Sequence, residues 1–218
     1  MIQLDNRLKT AFELCREGLI SADVGTDHAR LAAALALERS AKVYASDIND
    51  GPLEAARRTI GEYGVKNVEI VKSDGLENIP YADDVIICGM GGELIAEIAE
   101  KCRFTNENTR FILQPMTKAD YLRKRLCALG FELLEERAAE DSGKIYTVML
   151  WKFSGVSREI SEAEAFCGKN RDRKYLGKIA AKLIKNAENM ERSAGHSDEA
   201  ARLRETAEEI MRIAENEN

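Results

Sequence analysis

The stretch Leu19-Ile20-Ser21-Ala22-Asp23-Val24-Gly25-Thr26-Asp27-His28-Ala29-Arg30-Leu31 decides how the chain is read. Its first half is a short apolar run ending on an acid and a glycine, and its second half opens an Ala/Leu-rich segment. This predicts a strand over 19–24, a tight turn, and a helix over 28–38. At the carboxyl end of a parallel strand such a turn holds nucleotide-like ligands, because glycine admits close backbone approach and the helix start offers free N–H groups.

The same alternation runs outward from this unit. A leading helix is expected over 3–17 from the spacing of Leu4, Leu8 and Phe12, with Gly18 closing it. Lys42–Ser46 reads as a second strand ending at Asp47, and Gly51-Pro52 opens a helix, where proline's missing N–H costs nothing. Strands over 67–72 and 84–88 deliver Asp74-Gly75 and Gly89-Met90-Gly91-Gly92. A helix over 93–101, a strand over 110–113 stopped by Gln114-Pro115, and a helix over 118–129 follow. Repeated βαβ units close as a parallel sheet flanked by helices, with right-handed crossovers. From Phe131 the rhythm changes to two strands around the polar turn Glu140–Gly143, which places one antiparallel strand last in the sheet.

Beyond Ser154-Gly155 only charged helical sequence remains. Leu176, Ile179, Leu183, Ala187 and Met190 form one apolar stripe, and Leu203, Ala207, Ile210 and Ala214 a second, joined through 193–198. Two such stripes predict an antiparallel coiled-coil hairpin. Arg171, Lys174, Lys178, Lys182 and Lys185 fall on another face of the first helix, a basic strip about 20 Å long at 1.5 Å per residue. The expected organisation is therefore an α/β Rossmann-like domain over 1–154 and a helical domain over 155–218.

Composition narrows the function. The 218 residues are 44% hydrophobic with a formal net charge of −6, which argues against indiscriminate coating of nucleic acid and leaves room for a local basic patch. No run of 18 apolar residues and no signal-peptide layout is present, so a cytoplasmic protein off the membrane is expected. Five scattered cysteines and two histidines indicate neither a disulfide framework nor a metal site.

Asp47 follows the first turn at the spacing of a ribose-binding acid. The turn itself departs from G-x-G-x-x-G: Thr26, Asp27 and His28 stand where a pyrophosphate needs bare backbone. S-adenosylmethionine (SAM), with an amino group, a sulfonium and no phosphate, suits nearby carboxylates better than NAD does. The cofactor set is then Asp23, Gly25, Thr26, Asp27 and His28 from the first turn, Asp47 and Ile48 after the second strand, Asp74 and Gly75 after the third, and Gly89 after the fourth. Asp23 and Gly25 shape the amino-acid end, Asp47 takes the ribose hydroxyls and Asp74 the adenine amino group. Asp47 and Asp27 also have the composition of ordinary helix caps, Asp74-Gly75 of an ordinary turn, and Met90 of a packing residue.

Asp-Val-Gly-Thr-Asp-His-Ala, Asp-Ile-Asn-Asp-Gly-Pro-Leu, Ser-Asp-Gly-Leu, Gly-Met-Gly-Gly-Glu-Leu-Ile, Leu-Gln-Pro, Leu-Arg-Lys-Arg-Leu and Gly-Lys-Ile-Tyr occur in this order. In combination, over residues 4 to about 153, they resemble the bacterial tRNA (adenine-22-N1)-methyltransferase family. The resemblance implies a class I SAM-dependent methyltransferase domain with a carboxyl-terminal coiled coil, tRNA as partner, and adenine N1 as methyl acceptor. Adenine N1 already carries its lone pair, so in-line positioning rather than a general base would dominate, an effect of roughly 7–11 kcal/mol in well-oriented systems. Asp27 and the Gly89, Met90 and Gly91 backbone are candidates for stabilising the cationic product; His28 is expected to orient the turn or pack. The family places an aromatic residue after His-Ala where this chain has Arg30, whose guanidinium plane could stack on the base instead. Two rivals stay open: a methyltransferase of the same fold acting on a small molecule or protein, and an RNA-binding module without turnover. The oligomeric state is not readable from the sequence, with a monomer favoured over an oligomer.

Overall fold

The computed structural model describes residues 2–192 and 197–215. In chain order the elements are α1 (Asn6–Leu14), β1 (Ile20–Val24), α2 (Arg30–Glu38), β2 (Lys42–Asp47), α3 (Asp50–Glu62), β3 (Val68–Lys72), β4 (Asp84–Gly91) and α4 (Gly92–Glu100). They continue as β5 (Arg110–Thr117), α5 (Ala119–Ala128), β6 (Phe131–Asp141), β7 (Lys144–Phe153), α6 (Glu162–Cys167), α7 (Arg173–Arg192) and α8 (Ser197–Glu215). Among the described residues the sheet runs β3-β2-β1-β4-β5-β7-β6. Strands β1 to β5 pair in parallel, and β7 is antiparallel to both of its neighbours. The Rossmann-like sheet with an antiparallel last strand, and the helical hairpin after it, are as expected.

Strand β1 is buried along nearly its whole length, as a central strand covered on both faces must be. The covering splits by side-chain alternation. Val85 and Ile87 pack with Ile95 and Ala99 of α4 and Leu122 and Leu126 of α5. Ile86 points the other way, to Leu14 of α1, Leu31 and Leu35 of α2, and Ala56 of α3. Strand order reverses between β1 and β4, so their carboxyl ends open a crevice at the switch point.

Several boundaries differ from expectation, among them those of α1, α2 and β4, and three have a clear local reason. β5 continues through Gln114-Pro115 to Thr117, because its register with β4 shifts on either side of Met90, and a bulge tolerates a residue with no N–H. β6 runs on to Asp141, leaving only Ser142 and Gly143 in the turn, both at positive φ (49° and 73°), the backbone that right-handed strand twist favours in a two-residue hairpin. α7 starts at Arg173, since Asp172 accepts the Tyr175 amide at 2.8 Å and caps it. Arg171 therefore lies ahead of the helix rather than on its basic face.

α7 and α8 bury Leu176, Leu183, Ala207, Ile210 and Ala214 between them, and the connecting residues 193–196 lie outside the described residues. The hairpin is anchored to the sheet by a buried ionic cluster. Arg123 of α5 is 1% exposed; its Nη1 donates to the Ala165 and Phe166 carbonyls at 2.6 and 3.0 Å, and its Nη2 to Tyr175 Oη at 3.1 Å. It pairs with Glu136 of β6, which also accepts from Thr147 Oγ1 and, at 3.0 Å, from the Lys169 amide. Burial opposes the Arg123 charge and the Glu136 carboxylate outweighs it, so the guanidinium is held above its ordinary pKa.

Candidate functional site

The sheet register assembles the predicted residues. Val24 is paired with Ser46 on one side and Ile87 on the other, so the residues leaving β1, β2 and β4 sit side by side. The Gly25 and Thr26 amides donate to Ser46 O at 2.8 and 2.9 Å, and Ser73 N to Asp47 O at 3.0 Å. Asp23, Gly25, Asp47, Asp74 and Gly89 thus line one edge, with neighbouring strands about 4.8 Å apart.

Asp23 is 4% exposed and accepts the Thr26 hydroxyl at 2.7 Å. Burial pushes its carboxyl up to about 6, against the opposing pull of its hydrogen bonds from Thr26 Oγ1 and the Ala32 amide. Burial thus disfavours the ionised carboxylate, which a cation brought beside it would favour again. Gly25 has φ +74°, and a Cβ there would overlap Met90 Cε. Met90 therefore lies against the first turn, so the packing role weighed for it from the sequence holds on that side, while its backbone belongs to the Gly89–Gly91 turn.

The remaining first-turn residues are displayed rather than buried. Asp27 and Ala29 both take left-handed backbone (φ 47° and 52°), a conformation that costs non-glycine residues about 1–2 kcal/mol each. The Asp27 side chain is 76% exposed, and α2 has no side-chain cap, so the capping role open to Asp27 is not the one it fills. The His28 side chain is 62% exposed, with Nε2 3.8 Å from Asp27 Oδ1; of the two roles expected for it, orienting the turn or packing, this exposure leaves the first. Arg30, the first residue of α2, is exposed beside them.

Asp47 accepts the Asn49 amide at 2.8 Å through Oδ1, which orients the carboxylate without capping α3, whose start has no side-chain cap. Ile48 is 53% exposed next to it. Asp74 is exposed, and Gly75 has φ +53° with Ile98 of α4 about 3.1 Å from where its Cβ would stand.

Sequence reasoning missed the support behind the fourth turn. Gln114, fully buried, accepts the Gly89 amide at 3.2 Å and the Arg7 guanidinium at 2.8 Å on one oxygen, Oε1. Arg7 also pairs with Asp5 at 2.8 Å and lies 5.3 Å from the Tyr146 ring centroid. Gly89 has φ +83°, and this chain of contacts fixes its peptide. The Leu-Gln-Pro phrase pointed at Gln114, but nothing in the sequence pairs it with a residue 107 positions away.

The basic strip is divided. Lys174 is tied to Glu140 at 2.6 Å, and Arg171 donates to the Gly168 and Asn170 carbonyls at 3.1 and 2.9 Å. Lys178, Lys182 and Lys185 are exposed. Among the described residues no cluster of three metal-ligating side chains occurs, and no helix is long and apolar enough to cross a membrane.

Comparison with known proteins agrees with this geometry. The tRNA (adenine(22)-N(1))-methyltransferase of Bacillus subtilis (strain 168) is 37% identical over 155 residues, covering 68% of this chain. The match spans 65% of that relative's length. The crystal structure of the B. subtilis M1A22 tRNA methyltransferase TrmK superposes with a TM-score of 0.79 at 28% identity, covering 99% of this chain and 98% of that one. The M. capricolum TrmK structure, a complex with S-adenosyl-homocysteine, shares the fold with a TM-score of 0.83 at 21% identity, covering 97% and 99%. A methyltransferase-domain family model matches residues 4–149, and the chain belongs to that family.

Proposed function

We propose that this protein is a SAM-dependent tRNA methyltransferase that methylates N1 of an adenine, the one at position 22, as the name of its B. subtilis relative specifies for that protein. The observation that carries the reading is the carboxylate-lined first turn on a methyltransferase-family sheet: Asp23 is buried and raised to about 6, with no glycine nest for a pyrophosphate beside it. These residues fit SAM: Asp23, Gly25 and Thr26 would hold its amino-acid end, with Asp27 and His28 at the rim, Asp47 and Ile48 the ribose, and Asp74 and Gly75 the adenine.

When bound, SAM supplies a methyl group to the N1 lone pair as its S–C bond breaks, the bonding electrons staying on sulfur. The chain's part is alignment and charge. Gly89, fixed through Gln114 and Arg7, and the Met90-Gly91 backbone let the base approach closely; their carbonyls and Asp27 face the positive charge that develops on the adenine. Arg30 stands at the rim as the planar group for the base. N1 lies on the Watson–Crick edge, so the base must be unpaired, at a cost of a few kcal/mol. Lys178, Lys182 and Lys185 offer phosphate contacts that offset this. In this reading residues 1–154 carry the chemistry, 155–218 grip the RNA, and the protein works as a cytoplasmic monomer.

The test is calorimetry followed by methyl transfer. SAM should bind with micromolar-range affinity that Asp47→Ala weakens, and label from methyl-labelled SAM should enter unmodified bacterial tRNA. Transfer to protein or small-molecule fractions but not to tRNA would replace the substrate assignment.

A further inference from the structure

A cavity of about 560 Å³ lies between the β5–β7 edge and α7, within the range of sites that take nucleotide-sized ligands. Thr117 is part of its wall, and β-pairing sets Thr117 opposite Gly91. That part of its wall is therefore one strand spacing, about 4.8 Å, from the Gly89–Gly91 turn. The walls combine an apolar and aromatic surface, Tyr146 and Ile179, with Lys144, Lys178 and Lys182. None of these lysines has an ion-pair partner among the described residues, whereas Lys174 nearby is paired with Glu140. Two acids also line it, Asp120 and Glu199, and Glu199 is engaged within the chain.

A flat apolar surface beside unpaired cations, continuous with the methyl-transfer turn, matches one ligand chemistry: a nucleotide with its base in the cleft and its phosphate on the lysines. We propose that this cleft holds an unpaired nucleotide flanking the target adenine, an inference that rests on the RNA-methyltransferase reading. The energetics call for such a site. Extracting the target from its stack deprives its neighbour of a stacking partner, and Tyr146, carrying Arg7 against its ring at 5.3 Å, replaces the lost surface. The same Arg7 reaches Gln114 and, through it, the Gly89 amide, so the nucleotide in the cleft lies against the support of the catalytic turn.

The test uses the full chain and unmodified tRNA carrying 4-thiouridine on either side of the target adenine. After irradiation, peptide mapping should find crosslinks within 144–146 or 178–182. Methylation of the same probe with crosslinks only elsewhere overturns the subsite and leaves the functional reading standing; no methylation at all overturns both. Tyr146→Ala should raise KM for tRNA about tenfold, the effect of one stacked base, with SAM affinity unchanged, and an unaltered KM contradicts the proposal. Lys178→Gln, on an exposed helix face, should lower the salt dependence of tRNA binding by about one phosphate contact; an unchanged slope counts equally against it.

Discussion

Replacing Asp23 by Asn should stabilise the protein near neutral pH while impairing its function. The folded chain holds Asp23 at about 6 against an ordinary 3.8, chiefly by burial. Because the folded pKa is the higher, the folded state binds more protons than the unfolded state between these values, and stability falls as pH rises through that window. A shift of about two units corresponds to about 3 kcal/mol once pH exceeds 6. Asn carries no charge and its oxygen can still accept from Thr26 Oγ1, but its amide group needs an acceptor of its own, at a cost of about 1–2 kcal/mol. The expected net gain is about 1–2 kcal/mol at pH 8, or about 2–8 °C in Tm for a chain of this size. Paired melts of wild type and Asp23→Asn at pH 4.5 and 8 isolate the effect, since other titrations cancel in the difference. The advantage of the variant should grow by about 2 kcal/mol between the two conditions. SAM binding should weaken at least tenfold in the variant at pH 8, and in wild type it should decline as pH drops below 6. A stability difference that does not change with pH would refute the account of Asp23 as a costly buried carboxylate kept for a cation.

Gly25→Ala should lose cofactor binding and about 1–2 kcal/mol of stability, because φ +74° disfavours a side chain and the new Cβ would displace Met90; calorimetry and a melt check both. Arg7→Met should lower kcat by about one to two orders of magnitude with little change in SAM affinity, since it releases Gln114 and the Gly89 peptide without touching the cofactor; single-turnover kinetics separate the two. Arg123→Met alone should cost about 3–5 kcal/mol by stranding Glu136 in the interior, while Arg123→Met with Glu136→Leu should recover most of it; denaturant melts of the set decide.

The α/β alternation was legible because strand-ending acids and glycines recur at Asp23-Val24-Gly25, Ser46-Asp47, Asp74-Gly75 and Cys88-Gly89, each an obligatory local feature of a parallel strand leading into a turn. The apolar stripes of α7 and α8 were legible for the same reason: helical periodicity is local. What the sequence concealed depends on pairing across distance. Arg171 looked continuous with the lysine strip until Asp172 capped the helix behind it. Lys174 reads as part of the RNA-facing strip, and only the fold brings Glu140 of β6 within 2.6 Å of it. Arg123, read within a charged helical phrase, turned out to be a buried tie between the sheet and α6 and α7. His28 and Asp27 look like packing or capping residues in isolation, and only the left-handed backbone at Asp27 and Ala29 turns them outward.

Methylation of adenine N1 is decided by incubating the full chain with methyl-labelled SAM and unmodified bacterial tRNA, then digesting the RNA to nucleosides and separating them. The label should co-migrate with N1-methyladenosine, and a primer-extension stop should fall at adenine 22, where the blocked Watson–Crick edge halts copying. Labelled tRNA without N1-methyladenosine, or intact SAM binding with no label in tRNA, would overturn the assignment of adenine N1 as methyl acceptor.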